Sequence, residues 1–114
     1  MSKFMYLFRS NPTAYQSMAP EPRQQPLKKW MDWKDTLEKN GRVKQFGERL
    51  DGTGKVVRGK AKAVTDGPFV EVKDFIQGYI LIEAKDLDEA VELAKGCPIL
   101  ESDGTVEIRP FVSI

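Results

Sequence analysis

The chain has 114 residues, 18 Lys and Arg against 17 Asp and Glu, a formal charge of +1, one cysteine and no histidine. That length fits one domain, residues 1–114, and its near-balanced charge offers no footprint for nucleic acid or an anionic membrane. The lack of histidine excludes Ser-His-Asp and Cys-His catalysis and any His-ligated metal, and a lone Cys97 excludes an intrachain disulfide.

No run of residues has the length of a membrane span, and the apolar start ends at Arg9 without a cleavage pattern. The expectation is a soluble cytoplasmic protein with no metal and no cofactor. Proton transfer in such a chain falls to Asp, Glu, Lys, Tyr or Cys, with pKa values shifted by burial or neighbouring charge.

Lys3 to Arg9 reads as a first strand, with Phe4, Tyr6 and Phe8 on one face and Met5 and Leu7 on the other. Both faces are apolar, so both need cover, and a partner subunit is the economical cover for the second. Ser10 to Gln25, with Pro12, Pro20 and Pro22, reads as a long loop: a surface wrap pinned by Tyr15 and Met18, or a lid over a pocket. Pro26 suits a first helical turn, and a helix is predicted from there to Lys39. Leu27, Trp30, Met31, Trp33 and Leu37 share its apolar sector, with Lys34 snorkelling, and Asn40-Gly41 stops it. The two tryptophans are core at this spacing rather than a stacking platform.

Val43 to Leu50 is a second strand, and Asp51-Gly52-Thr53-Gly54 a tight turn. Lys55 to Thr65 is a long strand or a bent strand pair, with Gly59 as a bulge. Arg58, Lys60 and Lys62 alternate there, a pattern that protects an edge strand more readily than it grips phosphate. The run Val64-Thr65-Asp66-Gly67-Pro68-Phe69 is a rigid corner, because glycine frees the backbone while proline fixes its own φ and restricts its predecessor. Glu71, Lys73 and Asp74 follow in a connector, then a strand from Tyr79 to Ala84. Asp86 and Glu89 form a capping box for a second helix that buries Leu87, Ala90, Val91 and Ala94 and ends at Gly96 and Pro98. Cys97 is a small apolar filler. The last strand, Thr105 to Val112, sets Val106, Ile108 and Val112 against Glu107, Arg109 and Phe111.

The order strand, helix, two or more strands, helix, strand is that of an α+β, ferredoxin-like β-α-β-β-α-β fold, an antiparallel sheet with helices on one face. Two such sheets placed face to face make a dimeric α+β barrel with room for a ligand. The candidate site follows from that arrangement. Asp66 is a proton-transfer group or a hydrogen-bond anchor at the cleft mouth, or a turn-stabilising carboxylate. Glu71 and Lys73 face a ligand together or form a solvated pair. Arg109 holds a carboxylate or phenolate, or bridges to Glu83 or Glu107 across the dimer contact. Tyr6 and Tyr79 line the same cleft or pack the sheet.

The local patterns, in order, are Phe4 to Arg9; Trp30-Met31 with Trp33; Gly59-Lys60; Val64 to Phe69; Glu71 and Lys73; Gly78-Tyr79; Leu87-Asp88-Glu89-Ala90; Cys97-Pro98; and Val106 to Pro110. Together they resemble the YCII-related superfamily, in its DGPF-domain branch. The resemblance implies a dimeric ferredoxin-like α+β barrel. Some YCII-like proteins are proposed to use a histidine–aspartate pair, a relative of this fold is a dehydrochlorinase of a chlorinated hydroxyquinol, and DGPF-type genes lie beside extracytoplasmic-function sigma factors. Without histidine this chain departs from the paired pattern, and Asp66 is what remains of it. Two functional expectations follow. One is a homodimer whose cleft takes a small anionic or aromatic molecule for cofactor-free lyase- or isomerase-type proton transfer. The other is a non-catalytic accessory module tied to sigma-factor regulation.

Overall fold

Strict alternation along the first strand decides which side of the molecule becomes core. A computed structural model describes residues 1–10, 20–51, 53–67, 75–102 and 104–112. In β1 (Ser2–Ser10), Phe4, Tyr6 and Phe8 are buried, whereas Met5 and Leu7 are only half-buried. Period-two geometry sends these two sets to opposite faces of the sheet.

Chain order continues with α1 (Pro20–Lys39), β2 (Val43–Arg49), β3 (Gly54–Arg58), β4 (Ala63–Gly67), β5 (Phe75–Ala84), α2 (Leu87–Ala94), a short 3-10 turn (Pro98–Ser102) and β6 (Thr105–Pro110). Four strands form one antiparallel sheet in the order β2-β5-β1-β6, and β3 and β4 form a separate two-stranded ribbon. The fold is α+β with two helices and a mainly antiparallel sheet.

Register fixes the two faces. Tyr6 lies opposite both Ile80 and Ile108, and Phe4 opposite Ile82, so these side chains share the helix-covered side. Trp33 stacks on Tyr6 at 6.1 Å between ring centroids, and Trp30 meets Phe8 edge-on at 4.9 Å. The indole Nε1 of Trp33 donates to the Leu93 carbonyl at 3.1 Å, and the Tyr6 hydroxyl donates to the Ala90 carbonyl, so both helices are tied to one face. Buried aromatics with a polar end need such partners.

Helix punctuation is specific at both sites where it is described. The α1 end is a Schellman motif: Arg42 N donates to the Leu37 carbonyl and Gly41 N to the Glu38 carbonyl, each at 2.9 Å, with Gly41 at φ +69°. At α2, Asp86 Oδ1 accepts from Glu89 N at 2.9 Å, and Glu89 Oε1 accepts from Lys85 N at 3.0 Å. Glu89 also pairs with Arg42 at 2.5 Å, joining the start of β2 to the first turn of α2.

Several expectations are corrected. The helix predicted from Pro26 begins at Pro20, inside the stretch expected to be loop. The first helical N–H groups have no intrahelical acceptor, so Pro20 and Pro22 forfeit nothing there, and only Pro26 gives up a bond. Leu27 (48%) and Met31 (64%) are exposed, because the buried stripe is narrower than the predicted sector and follows Trp30, Trp33 and Leu37. In α2, Leu87 is exposed and Leu93 packs against the core in its place.

The Lys55–Thr65 region is a strand pair. Gly59 is not a bulge but the start of a turn in which Lys62 N donates to the Gly59 carbonyl at 3.1 Å. Gly59 (φ +63°) and Lys62 (φ +56°) both adopt left-handed angles. Lys60 and Lys62 therefore sit in the turn and do not alternate with Arg58 along a strand. The last strand stops at Pro110, leaving Val112 exposed. Cys97 is buried as expected, and burial pushes its thiol up to about 12. Residues 11–19, the main part of the wrap-or-lid segment, lie outside the described residues.

Candidate functional site on the open sheet face

With both helices on the Tyr6 side, the opposite face of the sheet has no described helix over it. Met5 and Leu7 of β1 point there, and their register partners Leu81 and Tyr79 of β5 do the same. All four are half-buried, and together they form an apolar strip across the central two strands. An antiparallel sheet tolerates one face towards water when that face is polar; this one is apolar at its centre.

Charge borders the strip. Glu107 and Arg109 of β6 lie opposite Leu7 and Met5, respectively. Glu107 accepts from Arg9 Nε and from Arg109 Nη1, each at 3.3 Å, so one carboxylate holds two guanidinium groups along one edge. Across the sheet, Lys44 and Glu83 approach to 3.9 Å. Guanidinium groups recognise planar anions through paired N–H donors, and the neighbouring apolar strip suits an aromatic ring.

Tyr79 is placed by a glycine. A β-carbon on Gly47 of β2 would lie 2.0 Å from the Tyr79 carbonyl oxygen and 2.5 Å from its ring, so the ring occupies the space a side chain would take. Sequence reasoning missed Gly47, and it missed Met5, Leu7, Leu81 and Arg9 as site-lining residues. The signal for Met5, Leu7 and Arg9 was the same alternation that identified the core residues Phe4, Tyr6 and Phe8.

The expected site residues separate into three groups. Tyr79 and Arg109 sit on the open face. Tyr6 does not join them: it is fully buried on the helix side, its hydroxyl bound to Ala90, and burial raises its phenol pKa further. Arg109 pairs with Glu107 of its own strand. Asp66 belongs to β4 in the separate ribbon, where it pairs with Lys55 and its side chain is 86% exposed. Glu71 and Lys73 lie outside the described residues. Among the described residues no group of three or more Cys, Asp or Glu is placed to hold a metal, and no helix is long and apolar enough to cross a membrane.

An open groove of about 340 Å³ lies elsewhere, between α1 and the 3-10 turn, lined by Lys29, Asp32, Trp33, Thr36, Pro98 and Glu101. Lys29 and Glu101 pair across it at 3.0 Å. It gathers no candidate from the sequence.

Comparison with known proteins gives two findings. A 49-residue segment is 42% identical to an uncharacterised protein of Rhizobium meliloti (strain 1021), covering 42% of this chain and 40% of that protein. The chain thus aligns with less than half the length of that curated relative. The YCII-related domain, by contrast, matches residues 2–114, so this chain belongs to the YCII-related family.

Proposed function

We propose that this protein is a single-domain, cytoplasmic homodimer whose two open sheet faces meet around a chamber for a small anionic or aromatic molecule. In this reading the β2-β5-β1-β6 sheet is ferredoxin-like and the pair forms an α+β barrel, as the strand order and one-sided helices support. The observation that carries it is the half-buried strip Met5, Leu7, Tyr79 and Leu81 beside the Arg9–Glu107–Arg109 cluster. Water is a poor neighbour for such a strip, and a second copy supplies a matching one.

The chemistry assigned to the chamber is cofactor-free proton transfer of an elimination or isomerisation type. Asp66 moves the proton, Arg109 stabilises developing negative charge, and Tyr79 packs the substrate ring. Glu71 and Lys73 remain further ligand-binding candidates on sequence grounds. Titration of the isotope-labelled protein with benzoate, followed by NMR, tests the binding half. Shifts centred on Leu7, Tyr79, Leu81 and Arg109, lost in Arg109→Ala, support it; shifts confined to other surfaces reject it.

One observation favours a second reading, a non-catalytic accessory module of sigma-factor-linked regulation. Leu27 and Met31 form an exposed apolar pair one helical turn apart on α1, on the helix side of the sheet. Co-purification of a sigma factor that Met31→Lys abolishes would select that reading.

A further inference from the structure

The near-zero charge of the whole chain averages over an uneven distribution. From Gly54 to Gly67 the β3–β4 ribbon carries Lys55, Arg58, Lys60 and Lys62 against Asp66, whereas the other described residues hold 13 basic and 13 acidic side chains. Asp66 pairs with Lys55 at the ribbon's base, so Arg58, Lys60 and Lys62 surround the turn with no acid among residues 56–65. Lys60 and Lys62 make no ion pair with a described residue. Because both lie in the turn rather than along a strand, protection of a strand edge does not account for them.

The same end of the ribbon is apolar. Val57 and Val64, directly paired, are 64% and 62% exposed, and Ala61 and Ala63 are exposed as well. The two strands pair only with each other, and beyond isolated contacts they pack on no other described element. A two-stranded ribbon alone is marginal in water, because neither of its faces is buried. At about 3.3 Å per residue the valine pair lies within about 10 Å of the turn, a depth that amphipathic segments reach in the headgroup–acyl boundary of a bilayer. Nucleic acid fits less well. Its phosphate backbone gives exposed valines no partner, and the aromatic, Asn and Gln side chains that stack on or read bases are absent from Gly54 to Gly67.

We infer that the β3–β4 ribbon is a membrane-contact finger: Arg58, Lys60 and Lys62 meet the headgroups of an anionic lipid bilayer while Val57 and Val64 enter the boundary beneath them. Cations and an apolar pair act together here, since either alone holds a protein to a bilayer only weakly. Binding of this kind is reversible and sensitive to salt. The inference goes beyond the chamber and does not depend on it, for Asp66 lies at the opposite end of the ribbon and the open sheet face takes no part.

Co-sedimentation of the full-length protein with lipid vesicles tests the inference. The protein should bind vesicles of equal parts phosphatidylcholine and phosphatidylglycerol, leave them in roughly 0.5 M salt, and ignore pure phosphatidylcholine. Lys60→Ala/Lys62→Ala should lower the partition constant at least roughly tenfold, and Val57→Ser/Val64→Ser, with no change of charge, at least roughly fivefold. A nitrobenzoxadiazole label on Ala61→Cys, selective because Cys97 is buried, gives a readout that does not depend on the folding of those variants. Its emission should shift to the blue on the mixed vesicles and stay unchanged on the neutral ones. Equal binding to both vesicle types, an unshifted label, or a lysine variant that loses binding while the valine variant keeps all of it overturns the finger. Release from the vesicles by duplex DNA, with the valine variant binding that DNA as well as wild type does, assigns the ribbon to nucleic acid and likewise overturns it.

Discussion

Tyr79 lies against Gly47 so closely that no side chain fits between them, and this contact joins the edge strand β2 to β5 on the open face. The close approach explains a glycine within a strand, where it otherwise weakens pairing. Gly47→Ala should therefore cost about 2–4 kcal/mol in a urea titration, because backbone as well as ring must shift. Gly41→Ala, with nothing within 4 Å of the new carbon, should cost only about 1–2 kcal/mol from its left-handed φ of +69°. Equal losses at the two sites would contradict the contact.

Two buried acids set the alkaline limit of stability. In the folded chain burial pushes the Cys97 thiol up to about 12, and it raises the Tyr6 phenol further above its ordinary 10.0. The unfolded chain releases these protons from its ordinary values of 9.0 and 10.0 upwards, while the folded chain retains them. The contribution of these two groups should thus be constant below about pH 9 and fall above it, by up to about 1.4 kcal/mol per pH unit for each. Denaturation midpoints between pH 8 and 11 check this, and Cys97→Ala should move the onset up by about one unit.

The Tyr6 hydroxyl has a second consequence. Tyr6→Phe removes a second donor from the Ala90 carbonyl, which keeps its helical N–H partner, and should cost about 0.5–1.5 kcal/mol by thermal or chemical unfolding. A neutral substitution would mean that water replaces the phenol.

How far the sequence could be read depended on the kind of physics involved. Alternation in β1 separated Phe4, Tyr6 and Phe8 from Met5 and Leu7 correctly, because period two is a local property of the chain. Asp86 and Glu89 announced the start of α2 for the same reason. That Tyr79 lies on the face opposite Tyr6 was not legible, since it depends on the pairing of Tyr6 with Ile80 and of Leu7 with Tyr79, a long-range register. Leu27 and Met31 looked buried because apolar character marks a sector, while the sheet beneath decides its width. A strand end after Val64 was legible, and the strand runs to Gly67, while Pro68 and Phe69 of the expected corner lie outside the described residues. That this strand belongs to a ribbon outside the main sheet was not legible, because nothing local to Val64–Phe69 states which strands lie beside it.

Asp66 and Lys55 should be nearly dispensable for folding. Both are exposed, and exposed ion pairs contribute about 0–1 kcal/mol, so Asp66→Asn should unfold within about 1 kcal/mol of wild type. A larger loss would assign Asp66 a structural role in the ribbon. An unchanged stability leaves it free for the chemistry assigned to it.

Glu107 should restrain the site. It holds Arg9 and Arg109 together, so Glu107→Gln should release both guanidinium groups and tighten benzoate binding roughly two- to tenfold in an NMR titration. Weaker binding would show that Glu107 orients the arginines rather than competing for them.

Pairing of the open sheet faces is the claim on which the chamber depends. Sedimentation velocity of the intact wild-type protein at micromolar concentration addresses it directly. The account predicts one species of twice the 12.9 kDa chain mass. A single species at the chain mass, with Met5, Leu7, Tyr79 and Leu81 open to solvent, would contradict it.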